Sequence, residues 1–358
     1  MVLVVQVGKM CWLSRAESGA CTAQSEVSEV AVIWPALIAH ADWGTDSRKR
    51  QVAVARVRRA SGNSHAHARY AVESLAPAAD GPEFFGQLRA AADPGQAMIG
   101  FDFPIGLPRR YAAAAGITTF PALLEALGTP PWHHFHVVAA QPSEITLHQP
   151  FYPMRPGASR REHLHLGLGL SGPELRRRCE GNDAESLFWT LGGKQVGKGA
   201  LIGWQLIAAA RRAKPGIRLW PFDGPLTQLL TGRGQTIVVE TYPREYYRHL
   251  GPPAARGRWS KRRKADRLSR VPGLFSWAES LPVEWDTTIR RRVESGFSDD
   301  RNGEDEFDAV IGLLAMIAVV TGAIDAGVPA DDPAVISTEG WILGRAPDGP
   351  APRLGRPQ

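Results

Sequence analysis

Cysteine is nearly absent: Cys11, Cys21 and Cys179 are the three in a chain of 358 residues. They cannot all pair, and their spacings fit no zinc motif. Neither a disulfide framework nor a Cys-based metal centre is expected, and a reducing cytoplasm is the expected setting. Long apolar runs are missing as well. The longest, "AVIGLLAMIAVVTGAI" over 309–324, has 16 residues, short of the ~20 that a membrane span needs, and predicts a buried helix. The N-terminus opens with five apolar residues and soon meets Lys9, Arg15 and Glu17, too little for a signal-peptide core. No segment repeats. The histidines of "WHHFH" (132–136) and "HLH" (163–165) lack the Cys partners or the H-E-x-x-H spacing of zinc sites. A complete phosphate-binding loop is also lacking. "GGKQVGKGA" (192–200) has Gly192, Gly197 and Lys198, but Gly199 replaces the hydroxyl residue that would hold Mg²⁺.

What is present is a concentrated positive charge. "RGRWSKRRKADRLSR", 256–270, holds eight Lys/Arg against one Asp, a net +7 in a chain whose total is +6. Such a patch is the electrostatic footprint of a polyanion partner, here nucleic acid, although solvated basic faces are also common. Arg258, Lys261, Arg262, Arg263 and Lys264 are the candidate phosphate contacts. Trp259, among them, either stacks on an unpaired base or anchors the segment to the core. Lys194 and Lys198, ahead of a helix predicted over 199–214, are further candidates for phosphate contact.

The hydrophobic pattern predicts an α/β fold. Strands are expected at 35–44, at 51–59 with clean period-two alternation, and at 67–76. A helix at 82–92 follows, then the strand of "AMIGFDFPIG". This order suits a three-strand meander, with the helix returning the chain so that the fourth strand lies parallel beside the first. From 111 to 216 the pattern turns mainly helical, with helices at 119–128 and 199–214. "IRLWPFDG" is a short strand, "QTIVVETYPREYYRHL" a strand opening into a helix, and "NGEDEFDAVIGLLAMIAVVTGAI" a long helix. Residues 1–33 and the last dozen carry no clear period and are expected to be poorly ordered.

Three of these strands end in a carboxylate: Asp42, Asp102 and Glu240. The long helix opens with Asp305 and Asp308, three apart and so on one face. Asp102 poses the problem most sharply, because it follows the apolar run "AMIGF". An unpaired carboxylate in such surroundings costs several kcal/mol or takes up a proton. Each acid has a plain structural alternative: a turn residue for Asp42 and Asp102, an arginine partner for Glu240, a helix N-terminal charge for Asp305. Parallel strands bring their carboxyl ends to one edge, where ligands bind. A cluster of hard oxygen ligands there suits Mg²⁺ or Mn²⁺ and the chemistry of phosphodiester hydrolysis. Asp42, Asp102, Asp305 and Asp308 are the expected metal ligands. Asp42, Asp102, Glu240 and Asp308 are the expected catalytic set.

"ADWG" (41–44), "GFDFPIGLP" (100–108), "VVETYP" (238–243), "DEFDAVIGLLAMIA" (305–318) and "EGWI" (339–342) together resemble a family of bacterial and archaeal predicted nucleases with an RNase H-like fold. The resemblance covers roughly 36–323 and is interrupted in the middle. It implies an RNase H-like mixed sheet flanked by helices, which on the pattern above would span 34–110 and 217–325, with a helical insertion at 111–216, an N-terminal extension at 1–33 and a tail at 326–358. It also implies acidic, metal-dependent site residues, hence a divalent-metal nuclease or related phosphodiester hydrolase. Two other classes compete with it. One is a catalytically silent nucleic-acid-binding module. The other is an actin- or sugar-kinase-like ATP-binding protein, which would need a glycine-rich loop after the first strand, where "ADWGTDSRKR" offers one glycine.

Overall fold

Alternation along the first strand sets the architecture. In β1 (Leu37–Asp42), Leu37, Ala39 and Ala41 face one apolar layer, while Ile38 faces another, so the strand is covered on both sides. In the computed structural model, which describes residues 34–58, 68–155, 157–181, 184–191, 196–214, 216–251, 259–300, 302–329 and 331–347, this strand is central. β2 (Gln51–Arg58) and β3 (Arg69–Pro77) continue from it as an antiparallel meander, and β4 (Ala97–Phe101) lies parallel on its other side. β5 (Ile217–Leu219) and β6 (Thr236–Glu240) extend the parallel half, and β7 (Val283–Trp285) pairs with β3. The strand order among the described residues is β5-β6-β4-β1-β2-β3-β7. The expected meander and parallel fourth strand are therefore present. The edge strand β7 is an addition that sequence pattern did not indicate.

The helices fall into two layers. α1 (Glu83–Ala92) joins β3 to β4. Between β4 and β5 come α2 (Arg109–Ala114), α3 (Phe120–Ala126), α4 (Arg161–Leu168) and α5 (Val196–Ala213), separated by turns and 3₁₀ segments. α6 (Leu226–Leu229) precedes β6, and α7 (Pro243–Tyr246), α8 (Lys264–Leu268) and α9 (Val271–Glu279) follow it. After β7 come α10 (Thr287–Glu294) and α11 (Gly303–Val320). Phe84 and Phe85 of α1, Phe120 of α3, and Trp204 and Ile207 of α5 bury one face of the sheet together with Ile99 and Phe101. The segment 111–216 thus shares a core with the sheet and is less helical than its sequence suggests. On the other face, Leu274 and Trp277 of α9 and the whole apolar body of α11 cover Ile38, Met98, Ile237 and Val239. The 16-residue apolar run is this buried helix, and among the described residues no helix is long and apolar enough to cross a membrane.

Two glycines let α11 approach the sheet closely. A Cβ on Gly312 would lie 2.3 Å from the His40 ring, and one on Gly100 would lie 2.5 Å from Met316 Sδ. His40 is fully buried, bonds Thr241 Oγ1 through Nε2 at 2.6 Å, and has its pKa lowered to about 3 by that burial. This neutral imidazole is a packed wedge between β1, β6 and α11.

The chain beyond Thr338 packs back onto the sheet. Trp341, Ile342 and Leu343 are buried, and Leu343 N–H donates to Glu240 C=O at 2.9 Å, so the chain returns beside β6. Burial of this apolar triplet outweighs the Pro- and Gly-rich composition around it. Residues 1–33 and 348–358, for which disorder was expected, lie outside the described residues.

Candidate acidic centre at the sheet edge

Parity along the strands decides which carboxylates meet. Side chains two apart share a face, so Asp42 follows His40 onto the α11 side. Asp102, just beyond β4, follows Met98 and Gly100 onto the same side. On α11, Asp308 lies one turn before Gly312, the residue packed on His40. The helix therefore presents Asp308 toward the end of β1, with Asp305 one turn further out.

The electrostatics agree with this placement. Asp42 is 6 % exposed and accepts no side-chain hydrogen bond from any described residue. Burial, followed by repulsion from Asp102, holds its carboxyl well above the ordinary carboxylate range; Asp308 and Asp305 add to the rise, and Lys261 opposes it. Asp102 accepts a hydrogen bond from Trp43 N–H at 2.7 Å, which ties the end of β4 to the turn after β1. Burial pushes Asp102 to about 6, against the Trp43 hydrogen bond and the positive charge of Lys261. Asp305 is pushed to about 7, again mainly by burial, and its Oδ2 is buried without a hydrogen-bond partner. Asp308 is fully engaged: Tyr247 O–H donates to Oδ1, and Lys261 Nζ donates to Oδ2. Lys261 is drawn upward by Asp308 and Asp42, although burial alone would lower it.

Glu240 does not join them. It pairs in register with Phe101, not with Asp102, and so faces the opposite layer. There Arg177 grips it with two hydrogen bonds of 2.7 Å, and Ile105 N–H donates to it at 2.6 Å. Its oxygens are taken up by a buried ion pair that ties the 111–216 segment to β6, the arginine alternative left open by the sequence. Arg177 also reaches the backbone oxygen of Glu339, whose carboxylate pairs with Arg109 at 2.6 Å. Glu240 is therefore removed from the catalytic set.

The basic segment borders the centre, but it is differently employed than expected. Lys261 turns inward to Asp308, although about a third of its side chain remains exposed. Trp259 donates its indole N–H to Asp266 C=O at 3.0 Å and packs edge-on against Tyr247, with Arg270 over its ring. That makes Trp259 the anchor and not a base-stacking platform. Arg262, Arg263 and Lys264 form peripheral pairs with Glu304, Asp266 and Asp299. Lys198 is exposed in the first turn of α5. Its neighbour Gly199 approaches Phe103 and the Trp43 carbonyl, which places that turn near the same edge. Lys194 and Arg258 lie outside the described residues. Sequence reasoning missed Tyr247, four residues beyond Pro243, and Lys49, which acts on Asp305 from the β1–β2 turn.

A divalent cation is the other expectation to test here. Among the described residues, no group of three or more His, Cys, Asp or Glu side chains converges as a ligand set. With both Asp308 oxygens bonded by Tyr247 and Lys261, the acids as placed do not fit Mg²⁺ or Mn²⁺. No family model, curated protein or solved structure matches the chain.

Proposed function

We propose that this protein hydrolyses phosphodiester bonds in nucleic acid, using an acidic centre on an RNase H-like sheet. The fold reading is supported by the β3-β2-β1-β4-β6 portion of the sheet, a meander followed by parallel strands. This is the arrangement that the motif resemblance implies. The observation that carries the function is Asp42: a carboxylate 6 % exposed, with no side-chain donor among the described residues, whose ionisation is opposed by Asp102 and Asp308 from two other segments. Crowding carboxylates in this way opposes their ionisation, and chemistry is the reason to keep them together. Asp102, at about 6, is ionised at neutral pH and is the carboxylate able to take a proton from an attacking water. The cations of the 259–270 segment border the centre, where a phosphate backbone would be held. The resemblance implies Mg²⁺ or Mn²⁺, which the acids as placed do not fit.

The test is a panel of end-labelled single- and double-stranded DNA, RNA, hybrid and branched substrates, incubated with Mg²⁺, Mn²⁺ or EDTA. Wild type should cleave at least one of them. Asp102→Asn should lose about 100-fold or more in rate while keeping its circular dichroism. Cleavage of nothing, or undiminished cleavage by the variant, refutes the proposal. Binding without cleavage would favour the silent nucleic-acid-binding module, a reading to which the Lys261–Asp308 ion pair lends support.

A further inference from the structure

The chain that returns after α11 closes a cavity against α7. Arg244 and Glu245 of α7, with Arg248 one turn on, form one wall, and the segments around Asp325 and Arg345 form the other. The cavity measures 610 Å³, within the range of about 300–1,000 Å³ typical of small-molecule sites. Its walls are tied together: Gly344 N–H donates to Ala326 C=O at 2.9 Å, and Tyr246 O–H donates to Leu343 C=O. Two of the lining residues are glycines in the left-handed region, Gly327 at φ +84° and Gly344 at φ +78°. A Cβ on the first would stand 1.9 Å from Arg345 C=O, and one on the second 2.2 Å from the Tyr246 hydroxyl. The cleft is a fixed feature of the fold.

Three guanidinium groups line this cleft. Arg345 is 9 % exposed and donates to Glu245 Oε1 at 2.6 Å. A guanidinium carries five donors, and no other described residue accepts from this one. Arg244 and Arg248 are exposed, and neither forms an ion pair with any described residue. Arg248 stays over the Tyr246 ring, 5.7 Å from its centroid. Asp325 is the opposing charge: its Oδ1 accepts from Gly327 N–H at 2.7 Å, while Oδ2 has no described partner. With Glu245 matched by Arg345, two cations face one anion. Arginine forks onto phosphate oxygens with paired hydrogen bonds, and a phosphate monoester brings a charge of about −1.5 to −2 at pH 7. We propose that the cleft binds a phosphate monoester of a sugar or nucleoside, with the phosphate on Arg244, Arg248 and Arg345 and a sugar hydroxyl donated to Asp325. A bare phosphate would leave most of the space unfilled. The site is separate from the acidic centre. Asp308 lies near the start of α11 and Asp325 beyond its end at Val320, about 18 Å or more along the helix axis. Binding here stands independently of any cleavage at that centre.

The experiment is isothermal titration calorimetry of the full chain with ribose 5-phosphate, adenosine 5′-monophosphate, adenosine and inorganic phosphate. At least one of the two esters should bind, more tightly than inorganic phosphate, and adenosine should not bind. Whichever ester binds more tightly tells a sugar site from a nucleoside site. The double variant Arg244→Gln/Arg248→Gln changes exposed side chains only, and should weaken ester binding about tenfold or more, as loss of charge-assisted hydrogen bonds does. Asp325→Ala should narrow the gap between ester and inorganic phosphate. Asp102→Asn, at the distant acidic centre, should leave binding unchanged. Four results overturn the proposal: no binding of either ester at millimolar concentration, adenosine or inorganic phosphate binding as tightly as the esters, an unweakened double variant, or a gap unaltered by Asp325→Ala. Loss of binding in Asp102→Asn would place the ligand at the acidic centre and overturn it as well.

Discussion

Replacing Asp102 by Asn should make the protein more stable at pH 7.5, and the gain should disappear in acid. Asn keeps the carbonyl oxygen that accepts from Trp43 N–H and removes the charge. Burial raises the Asp102 carboxyl from its ordinary 3.8 to about 6. At about 1.4 kcal/mol per factor of ten in proton affinity, ionising it costs the folded state about 3 kcal/mol. The folded state binds this proton more tightly than the unfolded chain. The cost is therefore absent below about pH 4, grows between pH 4 and 6, and is fully present above. The weaker bond that a neutral amide oxygen accepts from Trp43 N–H makes about 3 kcal/mol an upper bound. Urea denaturation of wild type and variant, followed by circular dichroism at pH 4, 5, 6 and 7.5, reads the difference directly. A variant that is less stable at pH 7.5 by more than about 1 kcal/mol, or a difference that does not change with pH, would refute the claim that this carboxylate is held ionised against the fold.

Arg177→Met should cost about 3–5 kcal/mol, because it strands the buried charge of Glu240; adding Glu240→Gln should recover part of the loss, with denaturation midpoints as the measure. Gly106→Ala should destabilise by about 1–3 kcal/mol, since Gly106 has φ +140° and a Cβ there would stand 2.1 Å from Glu339 C=O; limited proteolysis should cut the released tail first. Replacing Arg262, Arg263 and Lys264 together with Ala should weaken polynucleotide binding alike across sequences. It should also lower the salt dependence by about one logarithmic unit of slope for each phosphate no longer neutralised, as measured by fluorescence anisotropy.

How much of this was legible in the sequence differs by element. β2 alternates cleanly, and the parallel return of β4 follows from a helix of the right length between strands. β7 has three residues and no alternation to show. The acid set was legible in part. "IAHAD" and "MIGFD" each place the carboxylate on the side of His40 and Gly100, so Asp42 and Asp102 could be assigned to one face. The same rule applied to "IVVE" puts Glu240 with Val238, on the other side. Reading each acid as the end of a strand, without its parity, merged two sites into one. Lys261 was unreadable in a different way. Eight cations in fifteen residues look alike, and only the anchoring of the loop by Trp259 and Arg267 selects the one that turns inward.

The return of the tail also bears on how the chain is made. Synthesis proceeds from the N-terminus, and domains tend to fold as they emerge. β1 through β6 leave the ribosome well before Glu339 and Leu343, whose contacts bridge the 111–216 segment, β6 and the "FPIGLP" turn. Until those last contacts arrive, the nascent protein has its sheet but not the fastening between its halves. A ribosome stalled between residues 325 and 335 should therefore expose Arg177 and Glu240 to water, and release of the remaining residues should be the step that seals them in.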